Sequence, residues 1–273
     1  MSIDISRAVR DGISRTASGR GAALVALFVL IGIVGNVGFD SATQAMLQLA
    51  EELGEEPPTP VPEDATPFAL PLPGTAILLV VVLWLFGWAA AGVVAMRVLV
   101  ADPNERLRIA RLSIATVNEL IARVIVWVLI GIGLLLLLIP GIFLAISFYF
   151  VRPLIAVEDR NFIDAMIESW ELSTGRRFDI FILLLVAGVM YVLILLPGVI
   201  AAAAAPEAPL AASIASVLFS AIGTVFWLAV IARTYVQVLD TELDDGVVDD
   251  GEPESDDRPE DFDEWDDPPG VDW

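Results

Sequence analysis

The sequence predicts an all-α, polytopic integral membrane protein of about six transmembrane helices with short interfacial amphipathic helices. Three observations lead there. Hydrophobic residues make up 57% of the 273-residue chain, above the roughly 45–50% of soluble domains even before glycine is added. Those residues are gathered into runs that reach the roughly 20 residues a helix needs to cross the hydrocarbon core. Arginines cluster beside alternate ends of the runs, as the positive-inside rule requires of a threaded chain.

Taken in order, the first apolar run covers residues 21–39. A polar interval at 40–73 follows, with seven acids, seven prolines and no arginine. The second run covers 75–100 and the third 120–139. Pro140-Gly141 then punctuates the chain before a fourth run at 142–157. That last arm spans only about 24 Å at 1.5 Å per residue, so segments three and four are expected either as two crossings or as a re-entrant hairpin. The fifth run is 180–200 and, after an Ala/Pro link, the sixth is 210–236. Residues 1–38 also have the outline of a signal peptide. Cleavage would leave five segments with termini on opposite sides, so the first run is taken as a span.

Orientation follows from the arginines. Arg7, Arg10, Arg15 and Arg20 precede the first run, and Arg97, Arg106, Arg108, Arg111 and Arg123 bracket the second connection. Arg160, Arg176 and Arg177 lie between the fourth and fifth runs, and Arg233 closes the sixth. All fall on one side if both termini are cytoplasmic, which predicts a multi-pass cell-membrane protein with N-in, C-in topology.

The net charge of −21 argues against a nucleic-acid partner, whose phosphates need a basic surface. The last 34 residues hold 17 of the 36 acids and one arginine, Arg258. The chain therefore divides into a membrane domain at 1–239 and an acidic tail at 240–273, expected to be disordered because it cannot bury enough apolar surface to fold. Phe262, Trp265 and Trp273 give that tail aromatic anchors for a possible protein partner; a solvated extension is the plainer expectation. Abundant acids with arginine as the sole cation resemble the composition of halophilic archaeal proteins, in which molar salt screens repulsion between carboxylates.

Two elements are expected beside the membrane. Ile5, Ala8, Val9 and Ile13 recur at helical spacing among arginines, which reads as an amphipathic helix at the inner headgroup layer. Residues 159–175 read as a second helix, capped by Asp159 or Asn161 and stopped by Gly175. Its Ile163, Met166, Ile167 and Trp170 form one face, with Asp164, Glu168 and Glu171 opposite.

The chain has no cysteine or histidine, and all 15 of its cations are arginine. That removes the thiolate ligands, the commonest general base and a lysine-bearing phosphate loop. No catalytic residue, metal or cofactor is expected, and adjacent Glu158 and Asp159 are too little to define a cation site. Arg152 is the residue that asks for an explanation. It lies eleven residues past Gly141, about 16 Å along a helix, where an unpaired arginine costs about 2.5–3.5 kcal/mol. Pro153 disfavours helical geometry at residue 152, so the arm is expected to break there. Arg152 either snorkels to the inner interface or pairs with Glu119 or Glu158 in a polar pocket facing headgroups or a substrate. Asn36 is expected in an interhelical hydrogen bond, Gly131, Gly133, Gly188 and Gly198 at close helix contacts, and Pro197 at a bend or end of the fifth helix.

The stretch 138–178 carries Ile139-Pro140-Gly141-Ile142-Phe143, Arg152-Pro153, Glu158-Asp159, Ala165, and Ser169-Trp170-Glu171-Leu172-Ser173-Thr174-Gly175-Arg176. This order resembles the uncharacterised YciC-type membrane proteins and the membrane domain attached to some glycerophosphoryl diester phosphodiesterases. The resemblance implies the same polytopic helical architecture and a place near lipids or lipid-derived substrates. Trp170, Gly175 and Arg176 join Arg152, Glu158 and Glu119 as candidate functional residues. It implies no phosphodiesterase activity, because the barrel that carries that activity, with its histidines, is missing. The expected function is a non-enzymatic role in membrane organisation, envelope stress or scaffolding, with the bilayer as partner. The alternative is a small transporter or lipid-handling protein with a polar site around Arg152. Oligomeric state is not legible.

Overall fold

The computed structural model describes residues 3–54, 66–101, 110–204 and 207–248, with side chains described as far as Glu242. All regular structure among the described residues is helical: α1 (Ile5–Thr16), α2 (Gly19–Glu52), α3 (Gly74–Val100), α4 (Leu112–Leu136), α5 (Leu138–Ser147), α6 (Val151–Glu158), α7 (Phe162–Ser173), α8 (Arg177–Ala204) and α9 (Pro209–Val248). Six helical stretches are long and apolar enough to span a membrane: α2, α3, α4, α5 with α6, α8 and α9. The protein is thus an all-α, multi-pass membrane protein.

Two stretches form the centre of the bundle. Half of the apolar window of α5–α6 and of α9 is buried, against 17% for α4 and α8, which turn most of their surface to lipid. The core is built where α3, α6 and α9 meet. Val93, Met96, Leu154, Ile155, Phe226 and Tyr235 are all essentially inaccessible there.

The end that carries the arginines is also the end that carries the cross-links. Arg15 donates to Ala101 O at 3.0 Å, Arg233 pairs with Asp11 at 3.5 Å, and Arg176 pairs with Glu242 at 3.3 Å. The Ile3 N–H donates to Asp179, and the Asp4 N–H to Gln237. The start of α1 and the last turns of α9 therefore lie together at this end. Asp4 caps α1, and its carboxyl is held below the ordinary value by the Arg7 N–H and the Ser6 hydroxyl. The small face of α1, Ala8 and Gly12, packs on α9: a Cβ at Gly12 would stand 2.8 Å from the Val230 side chain. This helix rests on protein with its small residues while Arg7 and Arg10 stay exposed.

Several boundaries differ from those the sequence predicts, each for a local reason. The first span does not stop near residue 39 but continues to Glu52, because 40–52 contains neither proline nor glycine. Gly54, at φ +71°, then turns the chain. Asp40 and Ser41 on that extension accept from the Phe68 and Leu70 N–H groups, which seats the returning strand of chain. Pro197 does not end the fifth span; α8 runs seven residues past it, to Ala204. Helix α9 continues to Val248, so the first residues of the acidic tail are helical, and 249–273 lie outside the described residues.

The hairpin between the third and fourth spans turns at Leu137, whose backbone is extended (φ −158°). Its arms touch backbone to backbone: a Cβ at Gly133 would come within 2.8 Å of Gly141 Cα. Gly198 makes a similar approach to Ser216, whereas Gly131 and Gly188, expected in close packing, face open space. Pro140 and Pro153 each occupy the first turn of a helix, α5 and α6, where a missing N–H breaks no bond. The arm accordingly breaks at Phe148–Phe150, before Arg152 rather than at it.

Candidate functional site

The break before α6 frees backbone groups that must be satisfied away from water. Ser169 of α7 does this with one hydroxyl, donating to Ser147 O at 2.9 Å and accepting from the Phe150 N–H at 3.1 Å. Ser173 adds a longer bond to the same carbonyl. Ala165, Ser169 and Ser173, spaced four apart, form the fully buried stripe of α7. Small side chains let the helix lie close on α6, while Ile163 and Ile167 point outward and are exposed. The buried face of α7 is thus its small-residue face, not the large apolar face. Asn161 caps it by accepting from the Ile163 and Asp164 N–H groups.

Two arginine clusters lie on either side of this joint. Arg97, near the end of α3, has a side chain only 8% exposed. It donates from Nε to Ala156 O at 2.6 Å, from one terminal nitrogen to Ala110 O at 3.0 Å, and from the other to Asp159 at 2.7 Å. Ala156 O belongs to the last turn of α6, whose carbonyls carry the negative end of the helix dipole. Asp159 ends α6 in the left-handed conformation (φ 57°) and leaves the capping of α7 to Asn161. Asp159 answers the Arg97 charge here, and backbone carbonyls take further donors.

The second cluster is deeper and does not balance. Glu119 of α4 accepts from Arg152 Nε at 2.7 Å and from Arg123 at 2.8 Å, both on the same carboxylate oxygen. Arg123 is eleven residues into α4, about 16 Å from its start, whereas Arg97 lies about 5 Å from the end of α3. The Glu119 side chain is 4% exposed, while Arg123 and Arg152 are 21% and 23% exposed. The acid is sealed and the two cations reach open space, leaving one unit of positive charge. Arg123 Nε is buried without a partner.

That open space is a cavity of about 550 Å³ walled by Trp88 and Gly92 of α3, Trp127 of α4, Tyr149, Tyr191 of α8 and Trp227 of α9, with Arg123 and Arg152 in its lining. Gly92 of α3 faces both guanidiniums: a Cβ there would lie at ordinary contact, 3.5 Å from Arg123 and 3.7 Å from Arg152. Arg123, Val126, Trp127 and Ile130 line the cavity from one face of α4. Trp127 of that lining is 71% exposed on α4, a helix whose apolar window is only 17% buried, so the cavity borders the apolar outer surface of the bundle at that residue.

The six candidate residues of the sequence separate accordingly. Arg152 and Glu119 come together at the cavity. Glu158 does not join them; it accepts from the Tyr235 hydroxyl and from Arg160 at 3.3 Å. Its neighbour Asp159 pairs with Arg97, so these adjacent carboxylates face different partners. Trp170 stacks edge-on against Phe143 under the Arg177 guanidinium. Gly175, at φ +82°, turns the chain from α7 to α8. Arg176 ties Leu172 O to Glu242. These last three hold α7 in place and do not line the cavity. Asn36 bonds Gly32 O on its own helix rather than another helix.

Sequence reasoning missed Arg123 as a site residue, counting it only toward orientation, and missed the aromatic wall. A signal was present: Glu119, Arg123 and Trp127 stand four apart, which places an acid, a base and an indole on one helical face inside an apolar run.

The sequence model of a family described as a domain of unknown function (DUF7847) matches residues 3–238, and the chain belongs to that family. No curated protein and no solved structure matches the chain.

Proposed function

We propose that this DUF7847 protein is a non-enzymatic lipid-handling protein, which binds the phosphate-bearing headgroup of an anionic lipid at Arg123 and Arg152. One observation carries the reading: two guanidiniums share a single sealed carboxylate and present their surplus charge to an aromatic-walled cavity within the membrane layer. Guanidinium donors match phosphate oxygens in geometry and charge. Tryptophan and tyrosine suit the zone where headgroup meets acyl chain. The exposed Trp127 in the cavity wall, on a lipid-facing helix, favours a lipid over a soluble anion. A scaffold would have no use for such a cavity. The resemblance of the 138–178 stretch to YciC-type proteins fits the same setting. On the positive-inside rule, the arginine-bearing end faces the cytoplasm, and the headgroup enters from the inner leaflet of the cell membrane.

The test is a titration of the purified full chain in detergent with phosphatidylglycerol, phosphatidylcholine or inorganic phosphate, read by tryptophan fluorescence. Phosphatidylglycerol is expected to quench and phosphatidylcholine to do so far less. Arg123→Gln and Arg152→Gln are each expected to weaken the response about tenfold, equivalent to about 1.4 kcal/mol. Gly92→Leu, which fills the space in front of the guanidiniums, should act in the same direction. Equal responses to both lipids, or unchanged binding by both arginine variants, would overturn the reading. A full response to inorganic phosphate alone would make the ligand a soluble anion.

A further inference from the structure

A second cavity, about 430 Å³, lies between α2, α3 and α9 on the half of the bundle away from the arginines. Its wall includes Asn36 and Trp84, together with Ser213, Ser216 and Ser220 from α9. The two cavities are not independent, because Phe28 and Trp88 line both. Their rings meet edge to face with centroids 5.2 Å apart, and Trp84 leans on Trp88 at 5.9 Å.

Helix α9 shows how the cavities are stacked. It lines the outer one with residues 212–221 and the inner one with Thr224, Trp227, Leu228 and Ile231. Ser213, Ser216, Ser220 and Thr224 follow one another at steps of three or four, so their hydroxyls occupy one face of the helix. That face runs about 16 Å along the bundle axis. Four hydroxyls in file along a span are not needed for helix packing alone, since α8 packs on the same helix with alanine, glycine and leucine. Among the described residues, Ser216 is the one of the four that bonds to α8, through a long 3.4 Å bond to Gly198 O.

We infer that the two cavities are the halves of one transbilayer route for the headgroup, with the Phe28–Trp88 pair as the barrier between them. The inference rests on the headgroup reading above. The inner half holds the phosphate by charge, and the hydroxyl file of α9 replaces water around it in transit. The acyl chains stay in the bilayer, beside α4. Passage requires these rings to move apart, since Phe28 and Trp88 are the residues that line both cavities.

The experiment reconstitutes the full chain into vesicles of phosphatidylcholine and phosphatidylglycerol carrying a trace of fluorescent phosphatidylglycerol, with dithionite added outside. Protein that moves the probe between leaflets lets the fluorescence fall past the outer-leaflet fraction. Wild-type protein is expected to do this for phosphatidylglycerol and far less for a phosphatidylcholine probe. Phe28→Ala and Trp88→Ala should speed transfer several-fold. Ser216→Ala and Ser220→Ala, which remove the hydroxyl with little change in size, should slow it while leaving lipid binding in detergent unchanged. Binding without transfer, in wild type and in both barrier variants, overturns the route and leaves the headgroup site standing. Transfer that ignores lipid charge and Arg123→Gln overturns it too, since the protein is then only perturbing the bilayer. Loss of phosphatidylglycerol binding itself is read in the detergent titration and removes both.

Discussion

Arg97 and Arg152 are both arginines in apolar helices, both paired with an acid from another helix at 2.7 Å, and both near the α6 joint. They have opposite characters. All three nitrogens of Arg97 meet acceptors among the described residues, including the Ala156 and Ala110 carbonyls, and its side chain is almost fully enclosed. Around Arg152 a single carboxylate serves two cations, and the remaining donors face a cavity. The difference teaches that a buried arginine is read by what its whole guanidinium meets. Saturated by backbone, it is a clamp. With donors and charge left over, it is free to meet a ligand, as proposed above. The charge itself is no guide, since desolvation penalises both clusters alike.

The comparison breaks most sharply at Glu119. Glu119→Ala leaves two adjacent guanidiniums without a counter-ion, and it should destabilise by about 3–5 kcal/mol, read as a large drop in melting temperature and in membrane abundance. Arg97→Ala should cost about 2–3 kcal/mol, because it strands the Ala110 and Ala156 carbonyls while the partly exposed Asp159 can hydrate. Its phosphatidylglycerol titration should stay as in wild type; an equal loss of binding would make the two clusters one site. Arg152→Gln should show the reverse pattern, weakening lipid about tenfold, or about 1.4 kcal/mol, with a smaller loss of melting temperature than Arg97→Ala. That lipid response should also persist as salt is raised, since a buried site is screened far less than a surface one.

The smallest effect belongs to Glu168, on α7 outside the membrane spans. Its carboxyl is raised above the ordinary value, first by partial burial and then by the nearby Glu158 carboxylate, with Arg160 opposing. A raised carboxyl pKa means that the folded state holds the proton more tightly than the unfolded one. The group therefore costs stability as pH rises from its ordinary value through the raised one, and the cost disappears in acid. Glu168 is only partly buried and pairs with the exposed Arg160, so Glu168→Gln should gain less than about 1 kcal/mol at neutral pH and nothing below the carboxylate range. A pH-independent change would assign its role to packing.

Much of the fold was legible because it is periodic or compositional. The six apolar segments, α1, and a helix within 159–175, observed at Phe162–Ser173, followed from apolar runs, spacing and caps. Boundaries were not, because they depend on neighbours: α2 outlasts its apolar run, and its extension is held by Phe68 and Leu70 from the returning chain. Of the site, Arg152 and its pairing with Glu119 were legible as a cost that needed a partner. Glu158 was the other option, and the break at Phe148–Phe150 turned α6 so that Glu158 met Tyr235 instead. Trp170, Gly175 and Arg176 were legible as a pattern, yet their work is to seat α7. Its large residues suggested the packing face, but the backbone groups freed at the joint needed hydroxyls, so the face with Ser169 and Ser173 turned inward.

By itself the sequence determined that the chain carries six apolar membrane segments, which of their ends carry the arginines, and that one of those arginines needs a counter-charge. These follow from transfer free energy and helical period, which act on each segment alone. Only the tertiary structure decided which arginine is clamped and which faces a cavity, and that Phe28 and Trp88 stand between two chambers. Those outcomes depend on where a donor's neighbours on other helices fall, and three-dimensional packing sets that without leaving a period in the chain.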